Sequence, residues 1–570
     1  MTTVSRVLIE SYQQAPDTIA LYLLKSGRAD LAITYGDLVR RSLRYTRSLE
    51  REGIRPDEVV ILILQHGEDL IASFFGSILA GAIPAIMPFL TEKLSPEVYR
   101  RSLKALFEVT QPAAVITYAD FAAEARQVAD AVPSVRSLLI TEGVPPPGEP
   151  TLTTDLDRLP GLRAHPEEVV LLQHSSGTTG LQKGVALSHR AVFNQLDSYS
   201  RAIRLAPGDV IVSWLPLYHD MGLIAGFVLP IMRRVPLVLM SPFDWVRAPH
   251  RLMQAISRYR GTLCWLPNFA YNFCAQKIRP RDLEGVDLSS WRAVINCSEP
   301  MHWKSHQMFL ECFAAYGLRP EALATCYAMA ENVFAVTQGG IDQPVRLDPI
   351  SHESLTSRMI AEPSRELQAL PMLSAGRPIQ NTRVRVIDAR GAGLPERHVG
   401  EIAIQSDCLL NGYFQRPDLT EKAFQDGWYL TGDLGYLAEG ELYITGRKKD
   451  LIIVGGKNIY PQDLERLAEE ATGVHPGRVV AFGVFDERIG TEEVVLVAEV
   501  EDDRLLVGIR AEQVASEIRE RVTRGSEIAL RRVQLVKRNW LLKTSSGKIA
   551  RGANRDKYLR EYPVDYRPGE

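Results

Sequence analysis

VVILILQHGEDLIASFFGSILAGAIPAIMPFLTEKLSPEVYRRSLKALFEVTQPAAVITY, residues 59–118, decides the fold. VVILIL (59–64) is a continuous apolar run of strand length, the pattern of a parallel strand covered on both faces. Residues 70–90 carry no charge and are long enough to cross a bilayer. Gly76, Gly81, Pro84 and Pro88, with Ser73 and Ser77 among them, interrupt the stretch. The reading is therefore a buried helix over 69–80 stopped by Gly81, then a buried strand AIPAIM, with no stable membrane insertion. A helix over 96–110 and the strand AAVITY complete a βαβ rhythm, which implies a doubly wound sheet.

Outward from this stretch, a second series begins at VVLLQ (169–173) and continues through DVIVSWLP, PLVLM, GTLCWLP and WRAVINC. Two similar open sheets packed together are expected over residues 1–340. Residues 339–374 are polar with weak apolar periodicity, and an inserted loop or small appendage is expected there. VRVID, GEIAIQS, GELYITG and DLIIVGG are short strands with Gly-rich turns, so a β-rich lobe is expected over about 375–448. VVAFGVF, EEVVLVAEV, a helix over 511–523 and RRVQLVK predict a small α+β domain at the C-terminus. The boundary falls in the charged GRKKD (446–450), giving domains 1–448 and 449–570 within an α/β fold.

The chain has 570 residues, 45% hydrophobic and 24% charged, enough for about four folding units at roughly 150 residues each. Lys and Arg number 66 against 69 Asp and Glu, a formal charge of −3 that lacks the basic excess of a nucleic-acid binder. None of the six cysteines (264, 274, 297, 312, 326 and 408) forms a C-x-x-C pair, so zinc and redox motifs are absent and a reducing compartment is expected. The first residues, MTTVSRVLIESYQQAPD, do not read as a signal peptide, so the expected location is cytoplasmic.

Ser175-Ser176-Gly177-Thr178-Thr179-Gly180-Leu181-Gln182-Lys183-Gly184 follows an apolar strand. Small residues let backbone N–H groups approach an anion, hydroxyls add donors and Lys183 adds charge, so the run reads as a phosphate cradle. It is not a Walker A loop, which needs Gly at Gln182 and Ser or Thr at Gly184. VALSH after it reads as a strand. SSGTTGLQKGV resembles the phosphate-loop signature of the adenylate-forming superfamily of acyl-CoA synthetases, peptide-synthetase adenylation domains and luciferases. LPLYHDMG (215–222), YAMAENV (327–333), GWYLTGDLG (427–435), GRKKDLIIVGGKNIYPQDLE (446–465) and KTSSGKIAR (543–551) follow in that superfamily's order, so the resemblance covers essentially the whole chain. PNFAYNFC, DLSSWRAVINCSEP, GLRPEAL, CYAMAE and the polar insert look like fatty-acyl-AMP ligases, which typically deliver the acyl group to an acyl carrier protein. The alternative is an acyl-CoA synthetase with coenzyme A as acceptor.

The resemblance implies that a carboxylate attacks the α-phosphate of ATP, giving acyl-adenylate and pyrophosphate. Two anions must meet, so positioning and electrostatics dominate, and Mg²⁺ is the expected cation because it keeps waters and takes few carboxylates. Lys548 is the expected catalytic charge, with Lys543 its competitor in the same motif. His219 is expected beside the substrate carboxylate, Asp220 orienting its loop, and Glu331 and Thr178 at the metal. Tyr327 is expected to stack on adenine, with Ser298, Glu299, Pro300, Ala328 and Met329 lining it. Ala330 stands where many relatives have Thr, and fatty-acyl-AMP ligases often share it. Asp433 is expected at the ribose, Arg447 at the ribose or a phosphate, and Lys449 at a hinge about which the C-terminal domain turns between half-reactions. Trp214, Phe227, Phe269, Tyr271 and Phe273 lie near motifs that line the acyl tunnel in relatives. From Arg519 to Arg551 the chain has ten Lys or Arg and two Glu, a charge expected to steer an acidic carrier.

Overall fold

The computed structural model describes residues 2–89, 96–146, 156–175, 183–454, 457–486, 491–526, 530, 532–544 and 547–562. A seven-stranded sheet runs in the order Gly412–Tyr413, Lys183–Ser188, Val169–Ser175, Ile83–Ile86, Val59–Ile63, Ala114–Thr117, Ser137–Ile140. Its last five strands are parallel, and Lys183–Ser188 pairs antiparallel with both of its neighbours, Val169–Ser175 and Gly412–Tyr413. A nine-stranded sheet runs Arg377–Pro378, Ala335–Gly339, Leu323–Ala328, Ala293–Asn296, Leu263–Leu266, Ile211–Ser213, Leu237–Leu239, Ile19–Leu23, Leu31–Thr34. One apolar core with residues from both sheets joins them.

The uncharged stretch is a core element. Helix Glu68–Leu79 is buried at every residue from Leu70 to Leu79, because it lies within this core and packs on helix Tyr35–Arg51. A Cβ at Gly76 would lie 2.5 Å from the carbonyl of Ser42, so only glycine permits that approach. Gly81 takes φ 76° and ends the segment before strand Ile83–Ile86. Among the described residues no helix is long and apolar enough to cross a membrane.

The sheet partition differs from the sequence reading. Strand Val169–Ser175 does not open the second sheet; it pairs parallel with Ile83–Ile86 in the first. The following strand, Lys183–Ser188, hairpins back antiparallel, so the chain returns to the second sheet only after helix His189–Ala202. The N-terminal hairpin Ile19–Leu23 and Leu31–Thr34 forms an edge of that second sheet, far from it in sequence.

The β-rich lobe pairs Thr382–Ile387 with Gly400–Ser406, and that strand with Trp428–Ala438, which also pairs with Glu441–Arg447. Residues 339–374 are less loop-like than their sequence suggests. They form the hairpin Leu347–Ile350 and Leu370–Leu373 and helix His352–Arg358. Ile350, Leu355 and Ala361 are buried in one cluster with Val399, Leu434, Tyr436 and Tyr443. Too few apolar side chains are involved to make a periodic signal. Past the turn Lys448–Asp450, strands Val474–Asp486, Thr491–Val500 and Arg532–Val536 form a sheet, accompanied by helices Pro461–Glu469, Gly508–Ser526 and Arg551–Glu561. The architecture is α/β, two large sheets plus a β-rich lobe and a small α+β C-terminal unit.

Candidate active site

Strand Leu323–Ala328 delivers Tyr327, whose Oη donates to Asp433 Oδ2 at 2.6 Å. Asp433 sits on strand Trp428–Ala438 opposite Arg447, whose Nε lies 3.1 Å from Asp433 Oδ1. The Asp433 carboxylate raises the affinity of Arg447 for its proton, and burial next to that carboxylate pushes the Tyr327 phenol well up. Tyrosine, carboxylate and guanidinium thus form one connected clamp.

Beyond Tyr327 the chain makes a single 3₁₀ turn, Ala330–Asn332, carrying Glu331. Glu331 Oε1 accepts from Tyr413 Oη at 2.9 Å, and the Tyr413 and Tyr429 hydroxyls are 3.0 Å apart. Lys183 Nζ stands 4.5 Å from the Tyr413 ring centroid, a cation–π contact. The backbone is strained at Val333, a β-branched residue at φ 61°, and at Ser298, at φ 72°. Ser298 Oγ reaches Met221 Sδ at 3.8 Å. Glu299 Oε2 accepts from the Phe269 N–H at 3.0 Å, so this carboxylate caps helix Asn268–Lys277. Pro300 is exposed, Ala328 pairs with Ala335, and the Met329 N–H donates to Phe334 O at 2.8 Å.

His219 and Asp220 lie just before Met221–Val228, which is wound as a π-helix. Asp220 Oδ1 accepts from the Met221 N–H at 2.9 Å. Gly222 is forced, because a Cβ there would lie 2.2 Å from Pro216 O. Burial, assisted by the Lys548 charge, pushes the His219 imidazole down to about 3. Burial raises the Asp220 carboxyl, and Lys548 opposes it. Lys548, from the C-terminal unit, is therefore close enough to act on both groups. It is presented by a tight turn in which the Gly547 N–H donates to Thr544 O and the Thr544 N–H to Lys548 O, with Gly547 at φ 83°. Lys543 is turned elsewhere, donating to Gly477 O at 3.2 Å. Burial lowers the Lys449 ammonium, helped by the positive charge of Arg447 and opposed by Asp450 and Asp433.

Ser176, Gly177, Thr178, Thr179 and Gly180 lie outside the described residues, as does the side chain of Ser175. Among the aromatic residues, Trp214, Phe269 and Phe273 gather around Trp245, which stacks on Trp214 at 3.6 Å. Phe227 packs instead against Phe74 and Phe75, and Tyr271 against His306 and Phe309, inside the core. A cavity of about 650 Å³ lined by Lys25, Arg41, His66, Glu68 and Asp244 includes none of the sequence-identified site residues.

A model of the AMP-binding enzyme family matches residues 8–414. The chain belongs to that family. It is 30% identical over 565 residues to the medium-chain-fatty-acid–acyl-carrier-protein ligase JamA of Moorena producens, covering 95% of this chain and 92% of JamA. It is also 30% identical over 549 residues to a putative fatty-acid–CoA ligase of Mycobacterium tuberculosis, covering 91% of this chain and 90% of that protein. Its fold superposes on a fatty acyl-adenylate ligase structure from work on the E. coli and L. pneumophila enzymes. The TM-score is 0.87 at 27% identity, over 99% of this chain and 98% of that one. The chain is an acyl-adenylate-forming ligase, and this family uses ATP.

Sequence reasoning missed Tyr413 and Tyr429. The signal was local: GYF (412–414) precedes a PDLT helix start and pairs with the strand that follows the phosphate run. The described residues also fit a magnesium ion at Glu331. Tyr413 occupies Oε1, and Oε2 has no hydrogen-bond partner among the described residues. One spare carboxylate oxygen is what Mg²⁺ asks of a protein when a triphosphate supplies other ligands.

Proposed function

We propose that this chain activates a fatty acid to acyl-AMP and passes the acyl group to the phosphopantetheine thiol of an acyl carrier protein. The observation that supports the adenylation step is that the charge of Lys548 acts on both His219 and Asp220. Asp220 in turn senses the charge of Glu331, and Arg447 senses Glu331 as well, which supports grouping these side chains at one site. Residues 1–448 would form the adenylate-forming domain, with the insertion at about 339–374 and the β-rich lobe at about 375–448; residues 449–570 would form the lid.

Tyr327 stacks on adenine with its hydroxyl anchored on Asp433, and Ser298, Glu299, Pro300, Ala328 and Met329 line the same site. The Asp433 carboxylate accepts from ribose hydroxyls, and Arg447 stands beside it. Ser175, Ser176, Gly177, Thr178, Thr179 and Gly180, with Lys183, receive the phosphates. Glu331 and Thr178 hold Mg²⁺, which when bound neutralises phosphate charge. Ala330 offers no hydroxyl to the α-phosphate. His219, neutral at physiological pH, sits beside the incoming carboxylate without adding a charge. A carboxylate oxygen bonds to the α-phosphorus, the bond to the bridging oxygen breaks, and pyrophosphate leaves with the electron pair. No proton moves in this step. Lys548 spans the two anions and stabilises the charge that shifts between them. Lys449 is the hinge, and a cytoplasmic location follows from the reducing chemistry of a free thiol acceptor.

Coenzyme A is the second acceptor reading, supported by the mycobacterial CoA-ligase relative. Incubation with ATP, a fatty acid and either CoA or a phosphopantetheinylated carrier protein separates them. Acyl-carrier product with little acyl-CoA supports the proposal, and the reverse overturns it. Charge steering of the carrier is weaker than the tail sequence implies. Arg521, Arg524, Arg532 and Arg551 are already paired with Glu517, Glu520, Glu493, Asp450 and Glu465.

A further inference from the structure

Tyr413 touches two groups that come from distant parts of the chain. Its strand, Gly412–Tyr413, pairs antiparallel with Lys183–Ser188, placing Tyr413 opposite Val185. The backbone is fixed on both sides: the Tyr413 N–H donates to Thr420 Oγ1 at 2.9 Å and the Phe414 N–H to Gly184 O at 2.7 Å. The ring is 5% exposed and lies against the Lys183 ammonium at 4.5 Å. The hydroxyl donates to Glu331 Oε1 at 2.9 Å. That bond uses the single proton of Tyr413, so in the 3.0 Å contact with Tyr429 it is Tyr429 that donates. Tyr429, 4% exposed, thereby directs the Tyr413 proton onto Glu331.

We propose that Tyr413 is a positioning residue for the metal site, holding Glu331 by Oε1 so that Oε2 faces the nucleotide, with Tyr429 fixing the direction of the hydrogen bond. This rests on the adenylation reading, in which Glu331 holds the magnesium and Lys183 the phosphates. The same ring that orients the carboxylate also seats the lysine, so the cation-binding and anion-binding sides of the triphosphate site are set by one side chain. The hydroxyl, unlike the ring, matters only to the metal side. Tyr413→Phe separates the two because it keeps the ring under Lys183.

The test is ATP–pyrophosphate exchange measured against Mg²⁺ concentration, together with Mn²⁺ titration of the full chain followed by electron paramagnetic resonance in the presence of α,β-methylene-ATP. A charge-assisted hydrogen bond lost from the carboxylate should raise the half-saturating Mg²⁺, and weaken Mn²⁺ binding, about tenfold. KM for the fatty acid should stay unchanged, because a general loss of structure would move it as well. Tyr429→Phe should shift both metal readouts in the same direction by a smaller factor, and it carries the test if Tyr413→Phe does not fold. Unchanged metal dependence in the folded Tyr413→Phe protein, while Glu331→Gln shifts it strongly, overturns the role of Tyr413 alone. Unchanged metal dependence in Glu331→Gln overturns the metal reading beneath it.

Discussion

Asp433→Asn tests the nucleotide clamp most directly, because it preserves shape and removes charge. Asp433 is 8% exposed and spends one oxygen on the Tyr327 hydroxyl at 2.6 Å and the other on Arg447 at 3.1 Å. The arginine side chain is 51% exposed, so that ion pair is screened and contributes about 0–1 kcal/mol. Turning the buried phenol–carboxylate bond into a neutral one costs about 1 kcal/mol. Two ribose hydroxyls that lose a charged acceptor add about 1 kcal/mol each, felt only with nucleotide bound. The nucleotide term is therefore about 2 kcal/mol, a rise of about 30-fold in KM for ATP. The ribose does not change during the reaction, so kcat should hold. ATP–pyrophosphate exchange at saturating fatty acid reads both constants, and urea unfolding reads stability. Tyr327→Phe, which keeps the ring, should raise KM for ATP less than Tyr327→Ala. If Asp433→Asn left KM for ATP unchanged while lowering the unfolding midpoint, the carboxylate would be a staple between strands and the ribose assignment would fall.

Lys548→Ala should lower the exchange rate by about 10²–10³, the usual cost of removing one transition-state charge or donor; a loss below threefold would remove Lys548 from the chemistry. Lys449→Pro should spare adenylation and depress thiol transfer, measured as separate half-reactions, and equal losses in both would count against the hinge. Burial pushes His66, His174, His189 and His302 down to about 4, and His219 and His306 to about 3. In the unfolded chain these rings protonate near about 6.5, so it binds more protons and stability should fall as pH drops from about 6.5 towards 4. Glu469, pushed up to about 7 by burial and Glu465, works in the opposite direction, as do the raised carboxyls of Asp57, Asp220 and Asp463, but they are outnumbered by the six imidazoles. Urea midpoints across that range that stay flat would refute this balance.

The local elements were legible because their patterns are strong over short distances. The helix over 69–80 was visible from its apolar run and its glycine stop, and the structure places it at Glu68–Leu79. Strand neighbours were not legible, since nothing inside VVLLQ says which sheet will accept it; the hairpin after it decides. Candidate site residues could be named where chemistry concentrates in one motif, as with Asp433 in TGD or Lys548 in SSGK. It was illegible where function arises from register: Tyr413 reaches Glu331 across 82 positions of sequence. Charge counting along the tail does not show which charges are paired, for a related reason. Helix Gly508–Ser526 places Glu517 and Glu520 one turn from Arg521 and Arg524, and a window opening at Arg519 misses the first of those acids.

The proposed role of Lys548 in adenylation has a consequence for the second half-reaction. If the lid turns about Lys449, the contacts between residues 458–470 and residues 1–448 must break. The Lys304–Glu470 pair, at 2.9 Å with side chains 76% and 39% exposed, contributes at most about 1 kcal/mol. Tyr460 is different: it is 2% exposed and buried in the cluster with Tyr436, Tyr443 and Met359. Gln462 Nε2 also donates to Thr445 O at 2.6 Å. Exposing that ring costs about 2 kcal/mol, so with the ion pair the turned state would be populated at roughly one part in 100 in the free enzyme. A thiol acceptor must then supply that difference by binding the turned state more tightly, and a large carrier protein that touches the lid can do so through contacts that a small free thiol lacks.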